Sequence, residues 1–360
     1  MEQLQYPITP AKAGVQDALK ILDSCFRRND ILEEMFREMR IVETKSEKYI
    51  ASAFSWAEAN KKNKGMRDKR VSLPEAAQLI EDGHHVALGG TQYNRVPIAI
   101  VRELIRSGKK DLAISRSLMS FEADFLLVSG VMKTAVTSWL GGAVTYGLSP
   151  IVRRYMENNR AKFEEWSNLA IGLRYMAGAM GIPCIPAKVV LGSDIAKLVE
   201  LKTFECPYTG DKLALIPALN PDVAVIHAQR ADPYGNVQID GMTAMDTDMA
   251  KAAKRVIVTV EKIVPNEEIR RTPELTKIPF FCVDAVVEIP YGAFPYDVYG
   301  CYEPVHEHFR QYYKGFETTK DPEENAKNYI RKYFLEPKSF EDYLELFGVQ
   351  TILKYSVFRK

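Results

Sequence analysis

Short, largely apolar segments that alternate with helical patterns constrain the fold of this chain more than any other feature. They occur at residues 86–90, 112–115, 223–228, 256–260 and 285–289. These segments lack the polar alternation of a half-exposed strand, so both faces of each strand are expected to be buried. The sequence therefore predicts an α/β fold, with an open, mostly parallel sheet and helices on both of its faces.

Helix signals lie between and after these strands. Ser72 and Glu75 have the spacing of a capping box, and Pro97 stands where a helix can begin. Further helices are predicted over residues 165–180, 242–253, 322–334 and 340–347. The last two predict a helical C-terminal appendage over residues 316–360, following a main domain over residues 66–315.

Two of the predicted strands run into a pair of glycines. The first pair is Gly89-Gly90, and the second is Gly141-Gly142. Ligands of open parallel sheets bind beyond the carboxyl ends of the strands. Glycine lets a ligand approach the backbone amides without interference from a Cβ atom. Both pairs are therefore candidate ligand positions, although a glycine pair is also common in an ordinary turn.

The charge balance and the cysteine and histidine patterns exclude several classes of protein. Forty-eight basic side chains oppose 47 acidic ones, so neither nucleic acid nor a membrane surface is expected as a partner. No segment reaches the ~20 apolar residues that cross a bilayer. The five cysteines include no CxxC pair, and the five histidines lack metal-ligand spacing. We therefore expect reduced thiols, a cytoplasmic location and no metal site.

The first 65 residues differ in character from the rest of the chain. Their apolar residues are sparse and irregular, and they end in a polar run at residues 60–65. Residues 9–16 followed by residues 22–30 resemble the translation of a dispersed bacterial intergenic repeat. We therefore expect residues 1–65 to be a non-native or disordered extension, with the folded protein beginning at Met66.

Several widespread motifs are absent from the sequence. It contains no GxxxxGK[ST] phosphate loop, no GxGxxG after a strand, no HExxH and no GxSxG. These motifs therefore indicate no reaction. The residue patterns alone predict an α/β protein with glycines at two strand ends.

Four separated segments carry a more specific pattern. They are DGHHVALGG at residues 82–90 with Arg95 and Pro97, AMGIPCIP at 179–186 with Ser167 and 191–193, PDVAVIHAQ at 221–229 with 232–237, and EEIRR at 267–271 with 282–293. Together they resemble the A-type chain of glutaconate CoA-transferase and its relatives among the two-subunit CoA-transferases. Thr91 departs from the family signature, which usually has phenylalanine there. The chain is identified as a member of this family, whose fold is then expected.

The resemblance implies a reaction and a partner. Enzymes of this family move CoA between carboxylic acids through a glutamate, which forms a mixed anhydride and then a glutamyl-CoA thioester. In the two-subunit enzymes this glutamate lies on the B (beta) subunit. There it occurs in a Glu-x-Gly motif, and Glu81-Asp82-Gly83 matches the letters of that motif. These residues precede the first strand, so Glu81 is rejected as the nucleophile. The chain is then an A (alpha) subunit that contains no catalytic residue and is inactive without a B subunit. The CoA thioester is a substrate, and no permanent cofactor is expected.

The matching segments also indicate which residues bind the thioester and the acid. The candidates are Gly89, Gly90, Thr91, Arg95, Ser167, Gly192, Ser193 and Gln229. Arg95 has the fork geometry that pairs with a carboxylate or phosphate, but a solvated surface position is an equal alternative. The serines are equally suited to capping helices, and Gln229 to bonding the backbone. His227 is expected to be a hydrogen-bonded core histidine.

Two other functions are compatible with the same resemblance. Some relatives of glutaconate CoA-transferase are ring-opening hydrolases of cyclic CoA thioesters, in which a glutamate of the alpha-type chain is the base. Glu165 is the candidate for that role in this chain. The third alternative is a non-catalytic, CoA-binding subunit that stabilises a partner. The sequence does not identify the acid that accepts CoA. Both monocarboxylic and dicarboxylic acids are compatible with it.

Overall fold

The computed structural model describes residues 65–142 and 146–357 of the chain. The predicted extension over residues 1–65 therefore lies outside the described residues, apart from Gly65. No helix in the described part of the chain is both long enough and apolar enough to cross a membrane.

Strands and helices alternate along the described chain, as the sequence predicts. The strands are β1 (His85–Leu88), β2 (Leu112–Ser115), β3 (Leu118–Met119), β4 (Met132–Thr137), β5 (Trp139–Leu140), β6 (Lys162–Glu165), β7 (Cys184–Ala187), β8 (Thr203–Glu205), β9 (Lys212–Pro217), β10 (Val223–Ala231), β11 (Val237–Gln238), β12 (Arg255–Ile263), β13 (Thr276–Ile278) and β14 (Ala285–Glu288). The α-helices are α1 (Leu73–Gln78), α2 (Ile98–Arg106), α3 (Phe121–Val128), α4 (Pro150–Glu157), α5 (Asn168–Met180), α6 (Asp194–Leu198), α7 (Asp246–Ala252), α8 (Asn266–Arg271), α9 (His306–Thr318), α10 (Pro322–Tyr329), α11 (Phe340–Glu345) and α12 (Val349–Tyr355). A π-helical segment, Ile330–Leu335, continues α10.

Seven of the strands form a parallel sheet in the order β14-β12-β10-β1-β2-β4-β6. The chain first adds strands on one side of β1, through β2, β4 and β6, and later on the other side, through β10, β12 and β14. The reversal between β1 and β10 is a topological switch point, where the loops that follow the two strands diverge and leave a crevice. The predicted open, mostly parallel sheet is confirmed.

Helices cover both faces of this sheet. Along β10, Val223 and Val225 point into one hydrophobic core, while Ala224 and Ile226 point into the other. The first core includes α1 to α4 and the C-terminal helices α9 to α11, and the second includes α5 and α7. Burial of both faces is the physical reason for the continuous apolar segments in the sequence.

Aromatic rings attach the C-terminal helices to the rest of the fold. Phe309 of α9 stacks on Phe121 of α3 with ring centroids 4.2 Å apart, and Tyr329 of α10 stacks on Phe125 at 4.3 Å. The predicted C-terminal helices are therefore present. Helix α9 was not predicted, and it crosses the boundary that the sequence places at residue 315.

The segment around Glu165 differs from its prediction. The sequence predicts a helix that begins at Glu165, but Glu165 is the last residue of β6. The helix begins at Asn168, because the hydroxyl of Ser167 accepts a hydrogen bond from the amide of Ala170 at 3.2 Å and caps it. As a result, Glu165 lies at the carboxyl end of a parallel strand.

A three-stranded antiparallel sheet, β7-β9-β8, was also missed. Strand β9 carries an apolar run at residues 213–216, but only Ala214 and Ile216 of that run are buried. Strands β7 and β8 have no buried residue, and Pro186 and Pro217 interrupt or end the strand pattern. Pairing between residues far apart in the chain, rather than local sequence, defines these strands.

Candidate functional site

The loop after β1, residues 89–95, lies at the switch point of the parallel sheet. Gly90 has a φ of +68°, and a Cβ atom there would lie 2.1 Å from the backbone oxygen of Asn94. Gln92 and Arg95 also have positive φ, at 50° and 53°. Residues with side chains adopt this conformation at a cost, so contacts from outside the loop must hold it in place.

A buried ion pair supplies one set of these contacts. Arg95 is completely buried, and its Nη1 lies 2.5 Å from Oδ2 of Asp246. Oδ1 of Asp246 accepts a hydrogen bond from the amide of Gly90 at 2.8 Å. Arg95 also donates to the carbonyl oxygens of His227 and Met242. The solvated surface position considered for Arg95 is therefore wrong, because protein groups surround its guanidinium.

A second buried ion pair supports the loop from β2. Arg116 follows β2 and donates from Nε to the carbonyl of Gly89 and from Nη1 to that of Gln92, each at 3.1 Å. Its Nη1 also lies 2.7 Å from Oε1 of Glu122, and both side chains are completely buried. Such a pair resists rearrangement, because separating the charges leaves each one buried without compensation. The two ion pairs together define one conformation of the loop.

The backbone amides of the loop are already used by the protein. The amide of Gly89 donates to a carbonyl oxygen of β10 at 2.8 Å, and the amide of Thr91 donates to the carbonyl oxygen of Asn94 at 3.0 Å. Gly90 donates to Asp246, as described above. The expectation that a ligand approaches these amides is therefore wrong for these three groups. The glycines instead allow close packing within the protein.

The second glycine pair is likewise occupied by protein groups. A Cβ atom at Gly142 would lie 2.5 Å from the hydroxyl oxygen of Tyr313. The hydroxyl of Tyr93 donates to the carbonyl of Gly142 at 3.1 Å. The missing side chain of Gly142 thus makes room for Tyr313. This glycine pair is therefore not open to a ligand.

A cavity of about 730 Å³ opens at the carboxyl ends of β4 and β6, a volume typical of small-molecule sites. Its lining residues are Thr137, Ser138, Trp139, Leu140, Leu148, Met156, Lys162, Phe163, Glu164, Glu165, Trp166, Arg174, Leu198, Val199, Glu200 and Pro217. The glycine loop is connected to it through hydroxyl-bearing residues. Thr91 Oγ1 lies 3.2 Å from Ser117 Oγ, and Ser138 Oγ donates to the carbonyl of Ser117 at 2.5 Å.

Two adjacent glutamates at the end of β6 have different surroundings. Glu164 accepts hydrogen bonds from Arg174 at 2.6 Å and from the indole of Trp166 at 2.8 Å. Burial raises the pKa of Glu164, but the charge of Arg174 and these two hydrogen bonds outweigh it and leave the pKa below its usual value. Glu165 is exposed, and among the described residues its carboxylate has no hydrogen-bond or ion-pair partner. Glu165 therefore presents an unpaired carboxylate to the cavity.

Three other sequence candidates lie outside the cavity lining. Ser167 caps α5, which is the alternative that the sequence allowed for it. Ser193 donates its hydroxyl to the carbonyl of Val190 at 2.7 Å, and Gly192 is exposed with a φ of +76°. A role of these residues in binding stays a prediction.

Gln229 and His227 both form hydrogen bonds within the protein. The side chain of Gln229 accepts from the amide of Asp240 and donates to its carbonyl, so its polar groups bond the backbone. His227 is completely buried, with Nδ1 2.8 Å from the hydroxyl of Thr259 and Nε2 2.7 Å from the carboxylate of Glu261. The expected core histidine is confirmed.

Fold and site together define a class of protein. It is an open parallel α/β protein with a rigid glycine loop at the switch point and a largely apolar cavity beside it. Within residues 65–142 and 146–357, no group of three His, Cys, Asp or Glu side chains is placed to hold a metal ion.

This chain belongs to the coenzyme A transferase family, whose model matches residues 70–289. The alpha-type chain of glutaconate CoA-transferase from Acidaminococcus fermentans is 32% identical over 307 residues, which are 80% of this chain and 95% of the relative. The crystal structure of that organism's glutaconate CoA-transferase has a TM-score of 0.75, with 31% identity over 81% of this chain and 96% of the other. These comparisons support the alpha type of subunit.

Two further relatives show the range of the family. An uncharacterised protein of Archaeoglobus fulgidus is 42% identical over 295 residues, which are 81% of this chain but only 65% of the relative. The IpdA chain of a cholesterol ring-cleaving hydrolase from Rhodococcus jostii is 31% identical over 262 residues, or 68% of this chain and 87% of the relative. Relatives with different reactions therefore share this fold.

Proposed function

We propose that this chain is the alpha-type member of a two-subunit CoA-transferase, which moves CoA between an acyl-CoA and a carboxylic acid. The family membership supports CoA transfer, and the relatives named as alpha-type chains support a partner of the B type. The observation that carries the proposal is the glycine loop held between two buried ion pairs, beside an apolar cavity at the carboxyl ends of the strands. The proposed location of this complex is the cytoplasm.

The proposed reaction begins with a glutamate of the B subunit. Its carboxylate attacks the thioester carbonyl, CoA leaves as the thiolate, and a mixed anhydride forms between the glutamate and the acid. The thiolate then attacks the glutamyl carbonyl, which releases the acid and leaves a glutamyl-CoA thioester. The acceptor acid reverses these two steps. This chain forms and breaks no covalent bond, and its role is to bind and orient the acyl group.

The position of Glu81 supports a nucleophile outside this chain. Glu81 is exposed and precedes β1, at the amino ends of the parallel strands. Gly89 follows β1, so a four-residue strand of about 13 Å separates it from the Glu-x-Gly segment. Glu81 therefore lies at the edge of the sheet opposite the glycine loop and cannot reach a thioester bound there.

Trapping of the glutamyl thioester tests this mechanism. After incubation of the A/B complex with an acyl-CoA, borohydride is expected to reduce one B-subunit glutamate to an alcohol, which peptide mass mapping detects. A parallel sample without acyl-CoA serves as the control. Consumption of the acyl-CoA with no modified glutamate on the B subunit would show that the transferase mechanism is wrong.

Glu165 is the observation that favours a second candidate, the ring-opening hydrolase. It is an exposed carboxylate at the end of a parallel strand, and it lines the cavity. In a hydrolase that uses Glu165 as general base, Glu165→Gln is expected to lower hydrolysis of a cyclic CoA thioester by about 10²–10⁴-fold. Glu205→Gln, which removes an exposed carboxylate outside the cavity, is the matched control. Hydrolysis by the Glu165→Gln complex at the rate of this control would show that Glu165 is not the base, and no hydrolysis of the cyclic thioester by the unmodified complex would eliminate the hydrolase.

A further inference from the structure

Several large apolar side chains on the wall of the cavity are exposed. Trp139, Leu148, Met156 and Leu198 line it and are 43%, 41%, 43% and 75% exposed. Phe163, Val199 and Pro217 add further apolar surface to the same wall. An apolar ligand that covers this surface releases water from it, which favours binding.

The arginine of the cavity is not available to a ligand. Arg174 Nη1 lies 2.6 Å from Oε1 of Glu164, and its Nε donates to the carbonyl of Pro217 at 3.2 Å. Its guanidinium also lies 4.4 Å from the centre of the Trp166 ring. Arg174 thus neutralises Glu164 and packs against the indole, and it offers no free charge to a substrate carboxylate.

The other charged groups of the cavity are predominantly acidic. Lys162, Glu165 and Glu200 are exposed members of the lining. Together with the Arg174–Glu164 pair, they make three carboxylates against two cations, a net charge of −1. Lys162 is the first residue of β6 and Glu165 is the last, so the excess of carboxylates lies at the carboxyl end of the strand. There a second carboxylate on a substrate would be repelled, and it would have to leave water to lie against an apolar wall.

We propose that this cavity binds an uncharged, apolar acyl group and discriminates against the thioesters of dicarboxylic acids. The inference rests on the proposed function, because the acyl group enters the cavity as part of a CoA thioester. The volume of about 730 Å³ accommodates chains or rings larger than a short acid. Affinity in such a site increases with each methylene group that leaves water.

A series of thioesters tests the substrate class in the A/B complex. From butanoyl-CoA to octanoyl-CoA, kcat/KM is expected to rise about fourfold for each methylene group. The monothioester of a dicarboxylic acid of equal chain length is expected to react roughly fivefold more slowly or worse. A flat series, or a preference for the dicarboxylic thioester, would overturn the inference.

A charge reversal at the rim tests the electrostatic part separately. Glu200→Lys is expected to raise the ratio of dicarboxylic to monocarboxylic kcat/KM roughly fivefold. Glu205→Lys makes the same change of charge on an exposed residue of β8, outside the cavity lining, and is the control. Equal ratios for the two variants would contradict the proposed role of the rim charges.

A binding measurement separates this inference from the proposed function. The chain has three tryptophans, and Trp139 and Trp166 line the cavity, so the full chain with Trp56→Phe reports on the cavity through its fluorescence. Saturable quenching by octanoate, but not by octanedioate, is expected. If no thioester reacts but octanoate still quenches, the proposed function fails, and what stands is the preference of the cavity for an apolar chain without a second carboxylate. If thioesters react but octanoate does not quench, or octanedioate quenches equally, the inference fails alone.

Discussion

Replacement of Arg95 by alanine is expected to lower the free energy of unfolding by about 3–5 kcal/mol. The substitution leaves the carboxylate of Asp246 completely buried without its cation. It also removes the hydrogen bonds that Arg95 donates to the carbonyls of His227 and Met242. Urea unfolding followed by circular dichroism measures the effect. A neutral pair, Arg95→Met with Asp246→Asn, is expected to recover part of the loss, since no charge then stays buried.

An exposed ion pair provides the matched control for this prediction. Arg310 lies 2.7 Å from Glu307, but these side chains are 55% and 54% exposed. Arg310→Ala is therefore expected to cost between zero and about 1 kcal/mol, because water screens the pair and solvates the glutamate that is left. Similar losses for Arg95→Ala and Arg310→Ala would show that burial of the first pair does not govern stability.

Replacement of Gly90 by alanine is expected to lower CoA transfer by the A/B complex by about 100-fold, with the fold retained. The new Cβ atom would lie 2.1 Å from the backbone oxygen of Asn94, so the loop must move by about an ångström. A backbone shift cannot be relieved by rotation of a side chain, and it alters the position of Thr91, whose hydroxyl contacts that of Ser117. Steady-state kinetics with an acyl-CoA and an acceptor acid measures the loss.

Gly108 offers a control that isolates the clash from the backbone conformation. Its φ is +66°, close to the +68° of Gly90, but a Cβ atom there would meet nothing within 4 Å. Gly108→Ala should therefore share the conformational cost, about 1 kcal/mol, and leave the activity unchanged. Equal activity of the two variants would mean that the conformation of the glycine loop is not needed for transfer.

Much of the fold was predictable because its signals are local. The capping box of Ser72 and Glu75 forms as expected, with the hydroxyl of Ser72 accepting from the Glu75 amide at 3.4 Å. The apolar segments of the parallel strands were found because burial of both faces leaves a continuous pattern. Strands β7, β8 and β9 were missed because they are partly exposed, and pairing rather than composition defines them.

The candidate site was predictable only where it is contiguous in the chain. The sequence placed Gly89, Gly90, Thr91 and Arg95 in one loop, and the structure brings them together at the switch point. Asp246, which holds both Gly90 and Arg95, lies 151 positions from Arg95 and leaves no local pattern. The cavity was missed for the same reason, although Glu165 was noted as a candidate base.

The sequence by itself determined the α/β class, the family resemblance and the presence of a special loop after the first strand. Each of these depends on residues near one another in the chain, where periodicity and motif spacing are visible. Only the tertiary structure decided that Arg95 is buried in an ion pair with Asp246, and that amides of the loop donate to protein groups. It also decided that the open cavity lies at the ends of β4 and β6. These features depend on which strands become neighbours in the sheet, and long-range packing sets that arrangement.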